Sequence, residues 1–496
     1  MSSLRQRVRT ALRWLLGPAL RAVDRRIARR VQGFEDRISH AERDIDALRS
    51  YGQLLAGSLS PTADSGLSPA AQVAPEASEA IVPAKIPTAP NGRVRFVDRL
   101  SCPVCRTDVE VVPELVTTDG RVKRGHVPCP TCQTVVGVVR DFRIDFRTPG
   151  VRPASSGPAR VIPPVGELRL QYDDERVRRS GDWVSWDDRY AISHGSVTDS
   201  LEYRGTFTDA LVHMVIHDRG GIVDFFVDGR HAGTADLYCG DWFVMPFTMV
   251  SDLPFEEHEI RIIPRGTKNA ASAGCDVFFG ELVLLGPRTD PAFGEAKPLN
   301  RGNPYTPVFE RYISQVPEGE LILEVGGGER RRLRPGYVNL EYMSVESADV
   351  FGDIQHLPFR DGSFTLALAQ AVFEHVTDPY AAAAELVRVA RPGGFVVIDA
   401  AFMQPLHAAP HHYFNITPMG MTELLNKSCT IVEVDHYDGL AGTVDWMLKS
   451  VGGPSKVSDE EYARVIAGIR AIEKKMSHEE FRAAASGFWV VARKPD

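Results

Sequence analysis

The sequence predicts a multidomain chain: an N-terminal helix, a small cysteine-paired ribbon, a central all-β sandwich and a C-terminal α/β unit built on a parallel sheet. Three observations predict it. At 496 residues the chain is too long for one hydrophobic core. Two aperiodic stretches rich in Pro, Ala, Ser and Gly, 56–92 and 148–164, read as linkers. Between and beyond them the apolar pattern changes from heptads to short β runs, and then to alternating strands and helices. The 43% apolar and 25% charged fractions are ordinary for a globular protein, and a net charge of −8 gives no reason to expect nucleic acid as the main partner.

Residues 1–55 read as helix. Val31, Phe34, Ile38, Ala41, Ile45 and Leu48 form an a/d seam of about three heptads, which predicts self-association through a short coiled coil. Ahead of it, residues 1–30 carry nine arginines against the single acid Asp24, a local charge of +8 that leaves −16 for the rest. A basic amphipathic helix of this kind either lies on an anionic membrane surface or packs on its own protein, and both readings stay open. Arg13 interrupts the apolar part and no small-residue cleavage site follows, so a signal peptide is not expected. Seven cysteines, four of them in two tight pairs, suit a reducing compartment. The expected location is cytoplasmic, with peripheral contact at the inner face of the membrane through the basic helix.

The module at 93–147 holds "CPVC" and "CPTC". Each C-x-x-C places two thiolates on one knuckle, and two knuckles complete a closed tetrahedral sulfur site. Cys102, Cys105, Cys129 and Cys132 are therefore expected to bind structural Zn²⁺ in a zinc-ribbon-like module. A redox pair is the competing reading, but neither motif opens a helix after a strand. Ten Arg/Lys against seven Asp/Glu form no basic stripe here.

Residues 165–287 read as a β-sandwich. Apolar runs break at "DRGG" and "VDGR", both hairpin signals. The run "YRGTFTDALVHMVIHDRGGIVDFFVDGRHAGTADLY" resembles the galactose-binding-like jelly rolls found beside carbohydrate-active enzymes. That resemblance implies glycan contact through exposed aromatics, for which Trp183, Trp186, Tyr190 and Trp242 are candidates. Core packing is the alternative for each of them.

From 300 to 496 the pattern is α/β. "LILEVGG", "YVNLEYM", "FTLALAQAV" and "GGFVVIDA" read as strands, and "DPYAAAAELVRVA" as a helix capped by Asp378 with Pro379 in its first turn. A Rossmann-like parallel sheet of this kind binds its ligands at the carboxyl ends of its strands. The ordered set "EVGGG", "NLEYM", "GDIQHLPFRDGSF", "AVFEHVTDP" and "ELVRVARPGG" resembles a class I S-adenosylmethionine-dependent methyltransferase of the type 11 group, over roughly residues 318–494.

Given that cofactor, Gly326 and Gly328 would let the backbone approach its amino-acid end. Glu324 would meet its ammonium group, and Glu341 would accept the two ribose hydroxyls. The resemblance further places Asp353 and Ile354 by the adenine, and Gln370 and Ala371 at the methyl-donor pocket. The chain departs from the family pattern at Glu329, at Thr365 and in a short basic turn from Glu329 to Pro335, too short for a crossover helix. A branch of the family shares this turn and the loop "FMQPLHAAPHHYFNIT".

A hydroxyl acceptor needs a positioned base. His375 and the loop histidines His407, His411 and His412 are the candidates, His407 being the one the resemblance favours, and His411, Gln404 and Tyr413 are expected at the acceptor. A histidine metal site is the alternative for this cluster, but no carboxylate or cysteine with ligand spacing accompanies the loop. The expected function is methyl transfer to a hydroxyl on a saccharide or other small molecule. The alternatives are a glycan-binding scaffold with a degenerate methyltransferase domain, or RNA methylation.

Overall fold

The protein is described by a computed structural model over residues 96–147, 159–240, 242–296, 299–300, 305–332, 334–407 and 411–496. The predicted N-terminal helix with its coiled-coil seam, and the linker 56–92, lie outside the described residues. Among the described residues no helix is long and apolar enough to cross a membrane.

A twelve-stranded sheet organises the C-terminal unit. At its centre Ile322–Val325 pairs in parallel with Tyr337–Glu341 on one side and Phe364–Ala369 on the other. Ile322–Val325 is buried throughout, as expected for a strand covered on both faces. Val350–Phe351 continues the parallel order outward on the first side, and Ala390–Ala401 on the second. The closing strand Gly487–Arg493 then inserts antiparallel between Ala390–Ala401 and Thr430–Tyr437. Chain order thus reverses at Ile322–Val325, which opens a crevice at the carboxyl ends of the central strands.

The helix Pro379–Val389 begins where the sequence predicts. Asp378 accepts hydrogen bonds from the Tyr380 and Ala381 amides. The insert between Thr430–Tyr437 and Gly487–Arg493 is helical: Leu440–Ser450, Asp459–Glu473 and His478–Ala483. Ser458 with Glu461, and Ser477 with Glu480, close capping boxes on the last two. The short turn after the glycine loop holds no helix; Arg330–Arg331 pairs antiparallel with Leu299–Asn300.

The ribbon is not a separate body. Its strand Arg143–Asp145 pairs in parallel with Val350–Phe351, and Thr134–Arg140, Val122–Cys129 and Val112–Thr117 follow antiparallel. Cys102, Val127, Cys129 and Ile144 share one core with Leu323, Val338, Leu340 and Val350. Part of the stretch read as a linker at 148–164 is also structured, since Arg160–Ile162 pairs with Leu115–Thr117.

The central unit is two stacked sheets of six and five strands. Leu201, Tyr203 and Phe207 of one sheet pack with Val212, Met214 and Phe279 of the other. Buried charge fixes this unit to its neighbours. Lys123 of the ribbon reaches Asp209 at 2.7 Å and Asp252 at 2.7 Å. Arg169 bonds Glu281 at 2.8 Å and also reaches Glu346 of the α/β unit, with His213 beside both acids.

Candidate cofactor and acceptor site

One cavity of about 3500 Å³ runs from the crevice at the sheet's carboxyl ends to the face of the sandwich. Of the residues expected at the cofactor, Gly326, Gly328, Glu341, Asp353, Ile354, Gln370 and Ala371 line it. So do His375, His407, His411, Gln404 and Tyr413 from the acceptor set. Glu324 is not among the lining residues. Its carboxylate is 1% exposed and receives hydrogen bonds from Tyr305 Oη (2.6 Å), Tyr337 Oη (2.8 Å) and Arg330 Nη2 (3.0 Å). The protein itself supplies the donors that the sequence reading assigns to a ligand ammonium.

The glycine loop is built for close approach. Gly326 has φ +72°, and a Cβ there would stand 2.3 Å from Val372 Cγ2. Gly328 has φ +59° and open space where a Cβ would go. Its amide donates to Glu341 at the end of the second strand. Burial pushes the Glu341 carboxyl up to about 8, with Glu324 adding to the shift and the Gly328 amide opposing it. Asp353 caps the turn Ile354–His356 through the Gln355 amide (2.8 Å), which sets Ile354 on the cavity wall.

At the end of the third parallel strand Ala371 takes φ +56°, a left-handed conformation costly for a residue with a Cβ. Its amide donates to Asp399 at 2.6 Å, which holds the turn in place. Asp399 ends the apolar run "VVID" as Glu324 and Glu341 end theirs, so the signal that found those two could have found it. Burial pushes its carboxyl up to about 7.

The acceptor side gathers Glu374, His375, His407, Tyr437 and Gln404, with Trp446 behind His407 at 5.3 Å between ring centres. Glu374 is 1% exposed, and burial, with Asp399 nearby, pushes it up to about 8. His375 Nδ1 lies 2.8 Å from the His411 carbonyl, and His407 Nδ1 lies 3.0 Å from that of Pro405. As donors, both rings carry the lone pair on Nε2. Burial and the neighbouring imidazoles hold His375 below the ordinary histidine range. Gln404 Nε2 donates to Tyr437 Oη at 3.1 Å. Glu374, Tyr437 and Trp446 were missed from sequence because their elements meet only in the fold.

Of the sandwich aromatics, Tyr190 and Trp242 line the same cavity. Trp242 is 41% exposed and packs on Trp186 (5.3 Å) and Phe278 (5.0 Å). Trp183 packs against the sandwich core.

In the ribbon, Cys102 and Cys132 sulfurs stand 3.8 Å apart, and those of Cys105 and Cys129 stand 3.4 Å apart. Four thiolates about 2.3 Å from one ion would be roughly 3.8 Å from one another, so this donor set fits a tetrahedral soft divalent metal.

Residues 336–398 match the family described as "Methyltransferase domain". A protein of Mycobacterium sp. (strain KMS), described as an uncharacterized methyltransferase, is 36% identical over 114 residues, 18% of this chain and 43% of the relative. Another with the same description, from Mycolicibacterium paratuberculosis (strain ATCC BAA-968 / K-10), is 34% identical over 163 residues, 28% of this chain and 53% of the relative. The chain thus spans about half or less of the length of these relatives. Among solved structures, an S-adenosylmethionine dependent methyltransferase from Mesorhizobium loti aligns at 12% identity and TM-score 0.22, over 38% of this chain and 97% of its own. Phosphoethanolamine N-methyltransferase 2 of Haemonchus contortus, in complex with S-adenosyl-L-methionine, aligns at 14% and 0.25, over 38% and 52%. Residues 336–398, the stretch that matches this methyltransferase description, carry Glu341, Asp353, Ile354, Gln370 and Ala371 at the crevice.

Proposed function

We propose that the protein transfers a methyl group from S-adenosylmethionine to a hydroxyl of an extended acceptor, a saccharide being the class that suits the cavity best. The observation that carries this reading is the single cavity, which joins the glycine loop and Glu341 at one end to Tyr190 and Trp242 at the other. When bound, S-adenosylmethionine supplies a methyl already activated on a sulfonium. The chain's part is then alignment and proton removal. Gly326 and Gly328 admit the cofactor's amino-acid end, and Glu341 accepts its ribose hydroxyls. Asp353 and Ile354 flank the adenine, and Gln370 and Ala371 face the methyl donor. Glu324 acts one step back, holding Arg330 and the loop.

His407 and His375 are the bases for the acceptor hydroxyl, with Gln404, His411 and Tyr413 positioning it. Aromatic faces stack on sugar rings at low entropic cost, which suits Trp242 to an acceptor longer than one ring. Zn²⁺ in the four-cysteine site would be structural, since four sulfurs leave no open position.

Calorimetry with S-adenosylmethionine tests the core of the reading: binding by the wild type that Glu341→Ala abolishes is expected, and no binding by the wild type refutes it. Tritium transfer from labelled cofactor to fractionated glycans tests the acceptor. Trp242→Ala should raise the acceptor KM about tenfold, the scale of one base-type stacking contact, with cofactor affinity unchanged. Label entering lipid, RNA or protein fractions instead would overturn the saccharide assignment.

A further inference from the structure

We propose that Glu374, His375 and His407 form a divalent-cation site at the acceptor end of the cavity, of the kind that takes zinc or another borderline first-row metal. Ligand atoms of the three residues lie within 4.8 Å of one another. Ligands about 2.1 Å from one tetrahedral ion stand roughly 3.4 Å apart, so the three would draw together by up to about 1.4 Å. The histidine loop itself carries no carboxylate; the fold brings Glu374, the chain neighbour of His375, against it, with the Tyr413 amide donating to the Glu374 carbonyl at 2.7 Å.

Two further observations point to a ligand. Glu374 Oε2 is buried with no hydrogen-bond partner, although the residue lines the cavity and is 1% exposed. A buried carboxylate oxygen left so is costly unless something occupies it. Both histidines direct Nδ1 at a backbone carbonyl, His411 for one and Pro405 for the other. That arrangement fixes the tautomer with its lone pair on Nε2 and is the usual outer support of a metal-bound imidazole.

The neighbouring groups explain why the site stops at three protein ligands. His412 is consumed in the loop: its Nδ1 accepts from the His407 amide at 3.3 Å, and its Nε2 meets Asn415 Oδ1 at 2.8 Å. Two imidazoles and a carboxylate leave an open position, as catalytic zinc sites do, and it faces the cavity. A second buried cluster, His213, Glu281 and Glu346, is already filled by the Arg169 guanidinium.

The inference concerns the same site as the proposed function. With a cation bound, the two histidines would act on the acceptor oxygen through the metal instead of as unligated bases. The test uses the full chain, loaded with zinc, dialysed and analysed for metal by mass spectrometry. The expected result is roughly two equivalents for the wild type, one in the ribbon and one here, and one for Glu374→Gln and for His407→Ala. Cobalt titration supplies a spectroscopic check, because the second equivalent should give ligand-field bands without thiolate charge transfer. One equivalent in the wild type overturns the proposal, as do two in both folded variants. S-adenosylmethionine calorimetry on the same samples separates the claims. Cofactor binding with no second metal removes only the cation site; a second metal with no cofactor binding removes only the methyltransferase reading.

Discussion

Glu324 and Arg330 face each other at 3.0 Å across the glycine loop, both almost fully buried, and the Arg330 guanidinium lies 4.2 Å over the Tyr305 ring. The pair spans the turn where no crossover helix is present among the described residues. It ties the end of the first strand to the basic turn, and Tyr337 closes the set from the second strand. Removing one partner leaves the other as an uncompensated buried charge. Arg330→Ala is therefore expected to cost about 3–5 kcal/mol, seen as a lower denaturant midpoint. Glu324→Gln keeps the tyrosine contacts and should cost less. If Arg330→Ala left stability unchanged, the pair would not be what shapes the loop.

Glu341 makes a contrasting prediction. Its carboxyl is pushed up to about 8, chiefly by burial. At neutral pH it is mostly protonated, whereas ribose hydroxyls donating to it would favour the ionised form. Cofactor binding should then release a proton, and affinity should rise from about pH 6 and level off above about pH 8. Calorimetry in buffers of different ionisation enthalpy reads the proton directly. The sign for the unliganded fold is opposite. The folded pKa lies above the unfolded one, so this residue's contribution to stability is full below about pH 4.5 and is lost as pH rises through about 8. Glu341→Gln should accordingly unfold at a higher temperature than the wild type at alkaline pH while failing to bind cofactor.

These two acids show what was legible in the sequence and what was not. An apolar run ending in an acid marked both Glu324 and Glu341 as strand ends, and both stand there. Only the fold separates their roles, because the partners of Glu324 arrive from Tyr305, the basic turn and the second strand. Local signals located the Asp378 cap and the absence of a crossover helix, since each depends on neighbours a few residues away. The pairing of Ile144 with Val350, which fuses the ribbon to the sheet, and the meeting of Glu374 with His407 depend on long-range packing that no periodicity records.

With Zn²⁺ in the four-cysteine site, as proposed, the fused ribbon predicts how its loss is felt. Cys102 and Cys129 sit in the same core as Leu323 and Val338 beneath the cofactor crevice. Cys129→Ser, or chelation of the metal, should therefore destabilise the α/β unit and not merely unfold an appendage. A loss of ~3 kcal/mol would lower the melting midpoint by roughly 6–12 °C. Scanning calorimetry should show one transition moving down as cofactor affinity falls. An unchanged main transition beside a small early one would mean that the ribbon folds independently.

The last prediction concerns the joint that sets the sandwich over the crevice. Lys123 Nζ lies 2.7 Å from Asp209 Oδ1 and 2.9 Å from Oδ2, and both side chains are nearly inaccessible to water. Lys123→Met strands the buried Asp209 carboxylate and should cost about 3–5 kcal/mol. Combining it with Asp209→Asn removes the stranded charge, so the double variant should be more stable than Lys123→Met alone, a coupling that a double-mutant cycle quantifies. Neither residue touches the glycine loop. Loosening the joint shifts Tyr190 and Trp242 relative to the histidines, and under the proposed function this should raise the acceptor KM while leaving cofactor affinity near wild type. A variant that loses cofactor affinity and acceptor KM together would show that the joint supports the α/β core itself and does not act as a hinge for the acceptor wall.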